Sequence, residues 1–256
     1  MKSFDAKVVL VTGGSKGIGL ACARQFAAEG ARVVISSRSQ ANIDEALTQL
    51  PGALGFAADL CDEASAAALV QRVEQEVGPI EVLVNSAGAA KRSAPEDLTP
   101  AFWRAAMDAK FFSTINVADP VVKLMAGRGR GVIVNIIGAG GKVAKPIHLA
   151  GGAANAALML ATAGLGNAYA ASGVRVVGIN PGLTETGRVA EGMAAEARHA
   201  GGTVEEAIQR SVQKIPMGRM AKPEEIADVV LFLASAKASY ITGTVITMDG
   251  AEHPMV

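Results

Sequence analysis

A glycine-rich turn near the N-terminus has the residue types and spacing to bind a phosphate group. The apolar run at 8–12 leads directly into Gly-Gly-Ser-Lys-Gly-Ile-Gly at 13–19, and an amphipathic helical pattern follows at once. Glycine lets the backbone approach a pyrophosphate, and the following helix presents unpaired N–H groups and its positive dipole end. This order of elements predicts a dinucleotide site; the alternative is a tight turn without a ligand.

The elements around this turn follow a regular alternation. Short β-branched runs predict seven strands at 7–12, 32–36, 54–57, 82–85, 131–136, 174–180 and 245–249. Longer amphipathic stretches predict helices at 18–29, 40–49, 63–77, 100–125, 151–171 and 223–233. Such alternation implies right-handed βαβ crossovers. We therefore predict an α/β fold in which residues 1–256 form a single Rossmann-type domain, a doubly wound parallel sheet with helices on both faces.

Composition narrows the class of protein. The chain has 256 residues, is 50% hydrophobic and carries a formal net charge of +0, so no overall field attracts nucleic acid or an anionic membrane. No signal peptide and no uninterrupted apolar run of about 18 residues is found, so we expect a cytoplasmic protein without a membrane partner. Cys22 and Cys61 lack metal-ligand spacing, and we expect reduced packing residues and no metal.

The segment 184–217 interrupts the alternation. It is rich in Ala, Glu, Arg and Gly with weak helical periodicity, and it is long for a connection. We interpret it as a substrate lid beyond the strand ends, with a surface helical excursion as the alternative.

Several motifs in order along nearly the whole chain resemble the short-chain dehydrogenase/reductase family. Thr12, Gly13, Gly17 and Gly19 match its Thr-Gly-x-x-x-Gly-x-Gly motif, and Asn-Ser-Ala-Gly at 85–88 is similar to its Asn-Asn-Ala-Gly. The resemblance implies a nicotinamide dinucleotide held by these turns and by later segments. The implied cofactor-binding residues are Gly13, Ser15, Lys16, Gly17, Ile18, Gly19, Arg38, Asp59, Leu60, Asn85, Ala87, Gly88, Pro181, Gly182, Thr184 and Thr186.

Charge at the end of the second strand favours NADP(H) over NAD(H). NAD-binding proteins of this fold usually carry an acidic residue there, whereas this chain has Ser36-Ser37-Arg38. Arg38 and Lys16 could bind a 2′-phosphate through charge-assisted hydrogen bonds. The alternative is that both are solvated surface charges.

The residues that the family uses for proton transfer are not found where the resemblance places them. Gly138 stands at the Ser position, Gly151 at the Tyr position, Asn155 at the Lys position and Lys110 at the Asn position. The two tyrosines, Tyr169 and Tyr240, are followed four residues later by Gly and Thr, so no other register restores a Tyr-x-x-x-Lys pair. We predict a divergent member.

Four side chains near the vacated positions could transfer a proton: Lys110, Lys142, Lys145 and His148. His148 has an ordinary pKa near 6.5 that suits proton transfer at neutral pH, and a surface loop histidine is the alternative. Burial would lower the pKa of Lys110 toward a useful range, and an ion pair or a side chain reaching solvent is the alternative. Lys142 and Lys145 are expected to be solvated.

Three functions remain open. The first is an NADP(H)-dependent oxidoreductase of a small-molecule carbonyl or alcohol substrate in which Lys110 or His148 assists proton transfer. The second is a catalytically inactive NADP(H)-binding sensor or partner subunit, and the third is an enzyme without redox chemistry. The family's habit of assembly implies a homodimer or homotetramer, with 156–163 and 246–256 as suitable surfaces.

Overall fold

The computed structural model describes residues 3–88 and 91–254. Its seven parallel strands form one sheet with the spatial order β3-β2-β1-β4-β5-β6-β7. In chain order the strands are β1 (Val8–Thr12), β2 (Arg32–Ser37), β3 (Leu54–Ala57), β4 (Ile80–Asn85), β5 (Gly131–Ile136), β6 (Val174–Pro181) and β7 (Val245–Met248). The predicted fold and all seven predicted strands are confirmed.

Nine α-helices are found in the described residues. They are α1 (Gly17–Ala28), α2 (Gln40–Leu47), α3 (Glu63–Glu76), α4 (Pro100–Met107), α5 (Ser113–Gly127), α6 (Leu149–Tyr169), α7 (Arg188–Ala200), α8 (Val204–Gln213) and α9 (Pro223–Ala234). The six helices predicted from the sequence lie within this set, with the 100–125 prediction divided between α4 and α5.

The sheet has an apolar core on each face because its central strands are covered on both sides. Along β1, Val8 and Leu10 belong to the core with α3 and α5. Val9 and Val11 belong to the core with α1, α2 and α9. All five β1 residues are buried, which explains why residues 8–11 are continuously apolar rather than alternating. The carboxyl ends of the strands therefore meet along one edge between two helical layers.

The predicted helix at 100–125 was wrong in one respect, since a π-helical turn at Asp108–Phe112 separates α4 from α5. Two side-chain hydroxyls donate hydrogen bonds to carbonyl oxygens of this wider turn. Ser113 Oγ donates to Ala109 O at 3.0 Å, and Thr114 Oγ1 donates to Lys110 O at 3.0 Å. Lys110 lies in this turn, and its side chain is buried.

The segment 184–217 contains two helices, α7 and α8, although the sequence shows only weak helical periodicity there. These helices pack on one another through Met193, Ala197 and Ala207, which form a small core separate from the sheet. Thr203 caps α8 in a reciprocal capping box with Glu206. The segment therefore forms a small ordered unit beyond the end of β6.

Helix α6 is the most apolar helix of the described residues. With its flanking turns, Pro146–Ser172 is long and apolar enough to cross a membrane by length and composition alone, yet 44% of its most apolar window is buried inside the protein. It packs on β6 and brings Asn155 and Thr162 into the interior. Its composition thus suits a layer of this α/β fold.

The two cysteines differ in environment. Cys22 is buried in α1, where burial raises the pKa of its thiol to about 12. Cys61 is exposed, so the expectation that it packs in the interior was wrong. Met255 and Val256, the last residues of the predicted oligomer surface, lie outside the described residues.

Candidate active site

The glycine turn between β1 and α1 requires its glycines for steric reasons. Gly13 and Gly17 have φ of 65° and 54°, a backbone region that favours glycine. A Cβ on Gly13 would lie 2.8 Å from the backbone nitrogen of Ala87, and one on Gly19 would overlap the carbonyl oxygen of Gly13. No side chain caps the start of α1. Its first N–H groups therefore face the turn without an intrahelical partner.

A buried polar network supports this turn from below. Thr12 Oγ1 accepts hydrogen bonds from the backbone N–H groups of Ser86 and Ala87 at 3.2 and 3.3 Å. Asn85 Nδ2 donates to Asn135 Oδ1 at 2.9 Å, and Asn135 Nδ2 donates to Thr162 Oγ1 at 2.9 Å. The network connects the ends of β1, β4 and β5 to α6. The side chain of Asn85, which was predicted to bind cofactor, is buried in this network, and Thr12 holds the turn that follows Asn85.

The ends of β2 and β3 form the neighbouring part of this edge. Gly14 N donates to the carbonyl oxygen of Ser36 at 3.3 Å, while the Ser36 hydroxyl is buried without a hydrogen-bond partner among the described residues. Arg38 is exposed one residue beyond β2. Burial and the charge of Asp59 raise the pKa of the Cys61 thiol, and Arg38 opposes them, so these three side chains are neighbours.

The beginning of the 184–217 segment lies over the glycine turn. Thr186 Cγ2 is 3.2 Å from the position that a Cβ on Gly17 would occupy. Thr184 is buried, and its hydroxyl donates to the carbonyl oxygen of Gly182 at 3.2 Å. The predicted cofactor residues therefore come to one edge of the sheet from five loops. Their uncapped helix, close glycine backbone and orphaned Ser36 hydroxyl fit a dinucleotide.

Lys110 projects from the π-helical turn to the end of β5. Its Nζ donates to the carbonyl oxygen of Ile136 at 2.9 Å, and the residue is 7% exposed. Burial, and after it the charge of Arg188, lowers the pKa of this ammonium to about 8. Among the described residues no carboxylate forms an ion pair with Lys110, so the ion-pair alternative does not apply there.

His148 fills the space beside Gly151. A Cβ on Gly151 would lie 2.8 Å from both imidazole nitrogens and would overlap Cε1. Burial, then the charges of Arg92, Lys110 and Lys145, lowers the pKa of His148 to about 4. This pKa lies well below the ordinary value near 6.5 expected from the sequence, and His148 is half-buried rather than fully exposed. Its Nδ1 is buried without a hydrogen-bond partner among the described residues.

The turn after β5 packs closely against α6. Gly138 has φ of 130°, and a Cβ there would lie 3.2 Å from Asn155 Nδ2. A Cβ on Gly152 would lie 2.7 Å from the carbonyl oxygen of Gly140, and one on Gly140 would lie 2.8 Å from His148 Cδ2. Glycine on both sides thus allows the turn, the helix and the imidazole to share this space.

Lys142 and Lys145 are both exposed, and both contact the C-terminal part of the chain. Lys142 Nζ donates to Thr247 Oγ1 at 3.0 Å, and Lys145 Nζ forms an ion pair with Glu252 at 3.0 Å. A cavity of about 250 Å³ lies between Lys142 and His148. These two lysines therefore border the site without reaching the end of β5.

Two arginines near this site were missed by the sequence analysis. Arg92 Nη1 lies 3.6 Å from Glu196 Oε2 on α7, and Arg188 Nη1 donates to the carbonyl oxygen of Gly88 at 3.4 Å. Both contacts join the α7 segment to the loop after β4. No local motif indicates them, because their position depends on how α7 folds back over the sheet.

The fold and this edge define a dinucleotide-binding α/β oxidoreductase. A family model described as enoyl-(acyl carrier protein) reductase matches residues 13–251. The chain is 34% identical to cis-4-hydroxycyclohexanecarboxylate dehydrogenase of Sinomonas cyclohexanicum over 253 residues, which covers 97% of each chain. It therefore belongs to the short-chain dehydrogenase/reductase family, whose members act on carbonyl and alcohol groups with a nicotinamide cofactor.

Solved structures agree over the full length. Actinorhodin polyketide ketoreductase with NADPH superposes with a TM-score of 0.94 at 31% identity, covering 98% of this chain and 99% of that one. L-Sorbose reductase from Gluconobacter frateurii, complexed with NADPH and L-sorbose, superposes with a TM-score of 0.91 at 28% identity and covers 100% of both chains. The described architecture is thus that of these two reductases.

Proposed function

We propose that this protein is an NADP(H)-dependent oxidoreductase of a small carbonyl or alcohol substrate, in which Lys110 replaces the family's tyrosine as proton donor. The observation that carries the proposal is a buried ammonium at the end of β5 without a carboxylate partner among the described residues. A buried lysine charge is costly, and such groups concentrate at functional sites.

The preference for NADP(H) is supported by charge at the adenosine end of the site. Arg38 and Lys16 are both exposed beside the glycine turn, and Ser36-Ser37 ends β2 where an acidic residue would repel a 2′-phosphate. Arg38 can bind a phosphate through two parallel N–H donors. Two relatives in solved structures, the ketoreductase and the sorbose reductase, are bound to NADPH.

The proposed reaction is reduction of a carbonyl carbon and protonation of its oxygen. The bound dinucleotide would supply the hydride. The Lys110 ammonium then transfers one proton to the substrate oxygen, becomes a neutral amine and is reprotonated by water. With a pKa of about 8 it is mostly charged at pH 7 and gives up its proton readily, as a general acid requires.

His148 is proposed as a neutral hydrogen-bonding residue rather than the acid. Its pKa of about 4 leaves the imidazole uncharged at neutral pH. A neutral ring can donate or accept one hydrogen bond per nitrogen, and its position beside Gly151 suits orientation of a substrate oxygen. Gly138, Gly151 and Asn155 provide no proton donor of comparable acidity.

The second candidate function is an inactive NADP(H)-binding protein. The close packing of the 138–141 turn against α6 and His148 favours it, because it fills the space in which the family's Ser and Tyr side chains would act. In this case the cofactor edge remains competent and the end of β5 has only a structural role.

Substitution of Lys110 by Met separates the two candidates. We expect Lys110→Met to bind NADPH with unchanged affinity by fluorescence titration and to lower kcat for a panel of ketones by about 10²- to 10⁴-fold. Lys123→Met, at an exposed lysine of α5, is the matched control. Wild-type protein that binds NADPH tightly but turns over none of the panel would support the binding-protein candidate.

A further inference from the structure

Arg92 and Arg188 are two cations whose contacts join the α7 segment to the loop after β4, on the α7 side of the candidate site. Arg188 is the first residue of α7 and reaches back to the carbonyl oxygen of Gly88. A Cβ on Gly88 would overlap the carbonyl oxygen of Ala109, the residue before Lys110. The Arg188 guanidinium thus lies near the π-helical turn that carries Lys110.

Arg92 lies near His148, on the loop after β4. Ser93 N donates to the carbonyl oxygen of Ile147 at 3.1 Å, which places Arg92 next to the turn that carries His148. Its Nε lies 3.5 Å from the position of a Cβ on Gly192, an ordinary contact distance, so the Arg92 side chain packs against α7. The side chain is only 29% exposed, and burial lowers the pKa of its guanidinium.

The side chains near Lys110 and His148 carry more positive than negative charges. Glu196 partners Arg92, and Glu252 partners Lys145. Lys110 and Arg188 have no ion-pair partner among the described residues. Burial lowers the pKa of both Lys110 and His148, and neighbouring cations lower both further, as an excess of positive charge would do.

We propose that the substrate of this site carries an anionic group, such as a carboxylate, that Arg92 and Arg188 bind beside the reacting carbonyl. Guanidinium groups form bidentate hydrogen bonds with carboxylates, and a partly desolvated position strengthens them. The excess positive charge at this end of the site gives such a substrate an electrostatic advantage over a neutral analogue. The inference rests on the proposed function, since it names the substrate class of the same site.

The test compares 3-oxo acids with their methyl esters, which differ in charge and hardly in shape. Binding is measured calorimetrically to protein saturated with NADP⁺, a state that supplies no hydride, and turnover is measured separately with NADPH. We expect wild-type protein to bind the acids at least 10-fold more tightly than the esters. Arg92→Gln and Arg188→Gln should each weaken acid binding by about 10- to 100-fold and leave ester binding unchanged.

Arg198→Gln is the matched control, since Arg198 is an exposed arginine of α7, the helix that begins at Arg188. It should leave the preference for acids unchanged. Equal binding of acids and esters by wild-type protein would overturn the inference, and so would parallel loss of both ligands in the Arg92 and Arg188 variants. Preferential binding of acids without NADPH oxidation would instead uphold the inference and overturn the proposed catalysis.

Discussion

The two glycine-rich turns at the carboxyl edge of the sheet use the same residue in opposite ways. In the 13–19 turn the glycines bring backbone N–H groups to an uncapped helix and leave the approach to them open. In the 138–141 turn the glycines let the chain close onto α6 and His148. A cofactor site built from backbone keeps its geometry under substitution elsewhere, whereas a site built from side chains can be rebuilt residue by residue.

We expect the largest effect, on kcat, from substitutions next to the 138–141 turn. Lys110 and Asn155 reach the end of β5 from facing segments, and the family resemblance places Asn and Lys there in the opposite order. Lys110→Asn should lower kcat by about 10²- to 10⁴-fold, because the ammonium is removed. Adding Asn155→Lys to that variant should recover at least 10-fold, as measured by stopped-flow oxidation of NADPH.

Retained NADPH affinity in both variants shows that they fold. If the double variant is no faster than Lys110→Asn, the chemistry depends on the position of Lys110 and not merely on a cation at the end of β5. The site would then have its own geometry rather than the family's geometry with two residues exchanged.

We expect a smaller effect, on cofactor affinity, from a substitution beside the 13–19 turn. Arg38→Ser should weaken NADPH binding by about 10- to 100-fold and leave NADH binding unchanged, since only the 2′-phosphate loses a charged partner. Fluorescence titration with both cofactors measures this. Arg32→Ser is the control, because Arg32 is exposed at the opposite end of β2. Equal loss of both cofactors would show that Arg38 supports the loop rather than the phosphate.

The smallest expected effect is on stability and follows from the buried ammonium. The pKa of Lys110 is about 8 when folded and near 10.5 when exposed, so the unfolded chain binds more protons between these values. Stability therefore rises with pH across this window, by about 1 kcal/mol between pH 8 and 9. Urea unfolding at both pH values should show this gain in wild-type protein relative to Lys110→Met. An identical pH dependence in the two proteins would mean that Lys110 is not desolvated.

The fold could be predicted from the sequence because its signals are local. Continuous apolar runs such as 8–12 identify buried parallel strands, and the glycine turn requires its residues for reasons that act within a few positions. The π-helical turn at Asp108–Phe112 could not be predicted, since helical periodicity continues on both sides of it. The hydrogen-bond partner of Lys110 is the carbonyl oxygen of Ile136 at the end of β5, which lies 26 positions away in the sequence.

The candidate site could be predicted only in part for the same reason. Proximity of Lys110 and His148 followed from the family register, but the low pKa of His148 depends on burial and on Arg92, which arrives from the loop after β4. The contacts of Lys142 and Lys145 with the C-terminal segment join residues more than 100 positions apart. Interactions at such separations have no periodic signal in the sequence.

The packing of Gly138 and Gly151 also limits how this chain can change. At Gly138 the backbone φ of 130° strains any other residue, and at Gly151 a new side chain meets the ring of His148. Restoring a serine or a tyrosine alone would therefore cost stability before it could add activity. Introducing the family's usual residues at these two positions therefore also involves the backbone of the turn and the ring of His148.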